Sequence, residues 1–68
     1  MKYTVNVDNA KDGWVLLKLS DETRCFDSKM SQSDIEELRD VALGETNPVE
    51  GLLDSCEKAI TAFHTYTI

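Results

Sequence analysis

The only thiols in this sequence are Cys25 and Cys56, and the only imidazole is His64, the residue types of a Cys/His nucleophile pair. A Cys/His nucleophile pair needs an activating environment and a third group that orients the base. Neither is evident. Cys56 falls inside an apolar stripe, Val49, Leu52, Leu53, Cys56, Ile60 and Phe63, where a cysteine behaves as a small buried hydrophobe. His64 lies near the end of the same segment, where its cation suits a helix dipole or its ring is simply solvated. Cys25 alternates with Arg24 and Phe26 on a short strand.

Metal and phosphate chemistry fare no better. The Cys and His spacing matches no zinc pattern. Asp8-Asn9-Ala10-Lys11-Asp12-Gly13 opens like an EF-hand loop, but Ala10 has no ligand oxygen at the third position. The twelfth position is Leu19, where a bidentate Glu is required, so a hairpin turn is expected here instead. Gly13, Gly44 and Gly51 are too scattered to cradle a phosphate, and 68 residues are few for a substrate pocket of the usual size. The expectation is a non-enzymatic protein with no metal and no cofactor.

Charge is the more informative signal. Residues 1–33 carry five acids against five bases, whereas residues 34–68 carry eight acids against only Arg39 and Lys58. The whole net charge of −6 therefore belongs to the second half. Such a balance argues against direct contact with DNA or RNA, which needs clustered Lys and Arg, and against anionic membranes. It favours a basic protein partner, with association that slows as salt rises.

The elements that must carry these groups can be read from periodicity. Sixty-eight residues make a single domain with a thin core, since a chain this short buries only about 60% of its unfolded surface. Lys2–Asp8 alternates, with Tyr3, Val5 and Val7 on one face. Asn9–Gly13 is a turn in which Gly13 can take a positive φ, and Trp14–Leu19 is a second strand. After the turn Ser20-Asp21-Glu22, Thr23–Phe26 makes a short third strand.

The period then changes to helical. Ser31 as N-cap would place Met30 and Ile35 as a hydrophobic staple, while Ser33 as N-cap would form a capping box with Glu36. Ile35, Leu38, Val41 and Ala42 share one face, Glu36, Glu37 and Asp40 the other, and Gly44 is placed as a left-handed stop. For the second helix Asn47 caps, Pro48 takes the first turn, and Glu50 reaches back; Glu50, Asp54 and Glu57 lie opposite the apolar stripe. His64–Ile68 alternates and either frays or adds an edge strand. The fold class is α+β: a three-stranded antiparallel β-meander (1–28) followed by a two-helix hairpin (31–64) packed on one sheet face. The two cysteines could pair, but Lys2, Thr4, Asn6 and Asp8 leave no apolar leader, so a soluble cytoplasmic protein with reduced thiols is expected.

Two surfaces then compete as the working site. Carboxylates four residues apart on a helix lie about 5–6 Å apart at Cβ, a spacing not far from that of phosphates along a nucleic-acid strand. A row of Glu36, Glu37, Asp40, Glu50, Asp54 and Glu57 could therefore occupy the groove of a nucleic-acid-handling protein and inhibit it. Size and one-sided charge suit a phage or mobile-element inhibitor of host defence, in the style of an anti-CRISPR protein, or an immunity or antitoxin protein. The rival surface is Trp14 and Leu16, on the sheet face the helices cannot cover; either Tyr66 and Ile68 fold over it, or it stays an exposed apolar patch that would serve self-association as a homodimer or small homo-oligomeric accessory protein.

Overall fold

The computed structural model describes residues 1–66. Its elements are β1 (Lys2–Asn6), a single 3-10 turn (Ala10–Asp12), β2 (Trp14–Ser20), β3 (Cys25–Ser31), α1 (Gln32–Leu43) and α2 (Leu52–Tyr66). The strands form one antiparallel sheet in the order β1-β2-β3. The α+β meander-plus-helices reading therefore holds.

Register decides which face is covered. Tyr3 opposes Leu19 and Val5 opposes Leu17 across β1 and β2, while Val15 opposes Met30 across β2 and β3. Val15 and Leu17 are buried, and Val15 joins Ile35, Ala42, Leu52, Cys56, Ala59 and Phe63 in one core cluster. Both helices thus lie on the Val15/Leu17 face, with α2 against β1 and α1 against β3. The result is a two-layer slab of 37 × 26 × 14 Å.

The turn after β1 is better ordered than a plain hairpin loop. The amides of Ala10, Asp12 and Gly13 donate to Val7, Asn9 and Ala10 carbonyls at 3.0, 2.9 and 3.0 Å, and Gly13 has the expected positive φ of 92°. Ala10 is buried in the core cluster beside α2, so a loop position supplies core volume. Of the two helix-start readings, Ser31 is the one realised. Its Oγ accepts from the Asp34 amide, and the Asp34 carboxylate accepts from the Ser31 amide, both at 3.3 Å. Met30 packs against the core that holds Ile35, as a staple requires.

Several boundaries differ from expectation. β1 ends at Asn6 rather than Asp8, and β3 runs from Cys25 to Ser31 instead of Thr23–Phe26, leading directly into α1. Asp27, Ser28 and Lys29 are poor strand formers by themselves; pairing with Lys18, Leu17 and Leu16 holds them extended. Gly44 is not left-handed: its φ is −82°, and its amide simply continues the last turn by donating to Val41 at 3.1 Å.

The start of α2 is the largest correction. Asn47 and Pro48 do not open it, because the preceding backbone is recruited by the sheet. The Tyr3 amide donates to the Glu50 carbonyl at 2.8 Å, and Lys2 and Glu50 form a parallel bridge. Gly51 then turns the chain with φ 79°, and its carbonyl accepts from Ser55 at 2.8 Å as α2 begins. A Cβ on Gly51 would collide with the Tyr3 carbonyl oxygen, so this close approach requires glycine.

The buried face of α2 is Leu52, Ser55, Cys56, Ala59 and Phe63, with Leu53 and Ile60 half-buried at its margin. Small Ser55 and Ala59 were not part of the expected stripe; they let α2 lie close to the sheet. On α1, Ile35 and Ala42 are buried and Leu38 is half-buried, but Val41 is 57% exposed. It lies beside Met30 at the β3 edge, where no further strand among the described residues covers it. Residues 64–66 continue α2 rather than forming an edge strand, and residues 67–68 of that expectation lie outside the described ones.

Candidate functional site

The structure separates the chemically capable groups. Cys56 is fully buried, and burial pushes its thiol above the ordinary range, with Arg39 opposing and Glu57 adding to the rise. A thiol held neutral is a poor nucleophile. Cys25 is exposed near the end of β3 opposite Ser20, whose Oγ lies 3.8 Å from its sulfur. His64 is exposed in the last turn of α2, on the helix-covered side of the sheet. Cys25 alternates with Phe26 and Met30 and so belongs to the opposite sheet face. Both cysteines are free. Among the described residues no group of three His, Cys, Asp or Glu could hold a metal ion, and no helix is long and apolar enough to cross a membrane.

All eight acids of the second half are exposed. They do not form the single row expected from spacing. Glu50 lies ahead of α2 in the bridge with Lys2, so Glu50 and Asp54 are not one turn apart on a helix. Asp54 shares a depression of about 240 Å³ with Lys2 and Lys58, which dilutes its charge. Glu57 is exposed on α2 and is the chain neighbour of buried Cys56. α1 is different. Its exposed charged residues are Asp34, Glu36, Glu37 and Asp40, and its only base, Arg39, is half-buried. Gln32 donates to Glu36 at 3.4 Å and so extends the polar surface by one turn.

Beside that acidic surface lies a feature that sequence reasoning missed. Met30, Leu38 and Val41 line an open groove of about 450 Å³ between α1 and β3, rimmed by Asp34 and Glu37. Phe26 of β3 is 54% exposed on the same sheet face. The available signal was a lone aromatic on an otherwise polar strand, together with a valine flanked by Asp40.

The Trp14/Leu16 surface is less open than expected. Both residues are half-buried, and the Lys29 ammonium lies 4.7 Å from the centroid of the Trp14 ring. That contact covers the ring with a cation instead of leaving an apolar patch. Leu16 sits in a shallow hollow with Thr4, Asn6, Lys18 and Asp27. Tyr66 does not fold over this face, since it closes α2 on the other side and is itself exposed.

Comparison with protein-family models, with curated proteins and with solved structures finds no match.

Proposed function

We propose that this chain is a non-enzymatic binding protein that docks on a basic, nucleic-acid-handling protein through the carboxylates of α1 and inhibits it. The observation that supports this most is that every exposed charged side chain of α1 is an acid. Glu36 and Asp40 lie one turn apart, with Glu37 between them toward the β3 side, on a rigid element whose first turn is fixed by the Ser31–Asp34 capping box. Such an array presents charge where a partner expects phosphates, and phosphate contacts supply most non-specific nucleic-acid affinity. Glu57 adds an exposed acid on α2, whereas Glu50 and Asp54 lie beside lysines and contribute less. An inhibitor of host defence carried by a mobile element fits this behaviour, and an immunity or antitoxin protein shares the same acid-meets-base logic.

The test is capture of partners from cells of the native host on immobilised protein, followed by a salt gradient and by competition with duplex DNA. The reading expects a basic partner that leaves at modest salt and is displaced by DNA, because exposed charges are screened within about 8–10 Å near physiological ionic strength. A partner that resists both salt and DNA contradicts it.

A further inference from the structure

We propose that the free edge of β3 is a self-pairing surface: β3 of a second copy adds to it antiparallel, about a twofold axis at Ser28, and the Phe26 side chain of each copy fills the Met30/Leu38/Val41 groove of the other. Its groove shares the Glu37 rim with the acidic docking array, but pairing through β3 stands whether or not that array binds a partner.

The two edges of the sheet are treated differently. β1 has its outer edge engaged by the Tyr3–Glu50 hydrogen bond and the Lys2–Glu50 bridge. Among the described residues β3, seven residues long, is paired on one side only. A strand edge of that length is a template for another strand whose charges complement it.

The pairing pattern shows which backbone groups are available. The Asp21 amide donates to the Arg24 carbonyl at 2.7 Å, closing the β2–β3 hairpin. Antiparallel pairs alternate between bonded and non-bonded, so Phe26, Ser28 and Met30 direct their amides and carbonyls toward β2. Cys25, Asp27 and Lys29 direct theirs outward. Ser31 is a partial exception, because its amide is already taken by the Asp34 carboxylate.

The sequence of the edge is self-complementary in one register. With the axis at Ser28, Asp27 opposes Lys29 of the second copy and Lys29 opposes its Asp27; both pairs use outward-facing backbone groups and both join opposite charges. Phe26 opposes Met30 at a non-bonded position, where facing side chains approach most closely. Shifting the axis by one residue in either direction puts Asp27 opposite Asp27, or Lys29 opposite Lys29. Like charges directly opposite are unfavourable, so the neighbouring registers are penalised. Arg24 falls opposite Gln32 in the chosen register, next to the acid-rich first turns of the other α1. Phe26 and Val41, exposed by 54% and 57%, are covered by the same event. The contact is isologous and closes as a dimer.

Sedimentation equilibrium of the whole chain tests this, with three variants. The wild type is expected to form dimers that strengthen with added NaCl, because each copy carries a net charge of −6. Lys29→Asp is expected to abolish the dimer while its circular dichroism remains that of the folded monomer. The charge swap Asp27→Lys/Lys29→Asp restores opposite-charge pairs and is expected to recover it. In a Cys25→Ser background, Ser28→Cys is expected to cross-link two chains on oxidation, since directly opposed non-bonded positions lie within disulfide range. A wild type that stays monomeric at millimolar concentration overturns the proposal. So does a dimer that survives Lys29→Asp, fails to return in the charge swap, or gives no Ser28→Cys cross-link.

Discussion

The segment that folds back on β1 makes Gly51→Ala the most informative single substitution. Gly51 has φ 79°, and a methyl group there would meet the Tyr3 carbonyl oxygen, a backbone atom that no rotamer change can move. A left-handed Cβ costs about 1–2 kcal/mol by itself. Relieving the clash displaces residues 50–51 from β1 and loses the Tyr3–Glu50 hydrogen bond of 2.8 Å. Together these effects amount to about 3–5 kcal/mol. A chain of this size has a total stability of only about 3–10 kcal/mol, so the loss is a large share of it. Gly13→Ala is the internal control: φ is 92°, but nothing lies within 4 Å of the added carbon, so only the backbone cost of about 1–2 kcal/mol applies. Gly44→Ala is the opposite control. Its φ of −82° suits alanine and the new carbon would rest 3.5 Å from the Val41 carbonyl oxygen, so about 0.5–1 kcal/mol of stabilisation is expected. Thermal unfolding followed by Trp14 fluorescence measures all three, with a drop in Tm of about 15 °C or more for Gly51→Ala. If Gly51→Ala costs no more than Gly13→Ala, the close approach to Tyr3 is wrong; if Gly44→Ala is destabilising, Gly44 is a left-handed stop after all.

Other expectations follow from the same structure. Ser31→Ala removes one half of the capping box and should cost about 1 kcal/mol in the same denaturation assay, whereas Ser33→Ala should be near neutral. Thiol labelling of the native protein should modify exposed Cys25 rapidly and buried Cys56 only at the rate of unfolding. Burial holds the Cys56 thiol neutral, so its folded pKa lies above the unfolded one. That stabilisation is complete while the unfolded thiol is protonated and fades as pH rises from the ordinary thiol range through the folded value. Cys56→Ala should therefore flatten the alkaline limb of the stability profile.

Local chemistry was legible where the chain answers to itself. The β1 and β2 alternation, the left-handed Gly13, the Ser31 cap and most of both apolar stripes follow from residues close in sequence. Gly44 apart, the misreadings share a cause, which is that a distant partner decided the conformation. Asp27–Lys29 is extended because β2 pairs with it, not by its own propensity. Asn47-Pro48-Val49-Glu50 carries helix-start chemistry, but the Tyr3 amide claims the Glu50 carbonyl and Gly51 takes over the turn. That displacement also dissolved the expected six-carboxylate row, leaving α1 as its coherent part. Val41 sits at proper helical spacing yet is exposed, because among the described residues the sheet ends at β3. A stripe records which side of a helix is apolar; how far the opposing layer extends is not written in it.

Paired charge reversals decide whether α1 carries the proposed binding function. Glu36→Lys/Glu37→Lys/Asp40→Lys and Glu50→Lys/Asp54→Lys would be titrated by calorimetry against the partner recovered by capture. The account expects the α1 set to abolish binding and the second set, beside Lys2 and Lys58, to weaken it less than tenfold, under about 1.4 kcal/mol. Undiminished binding by a folded α1 triple variant would contradict it.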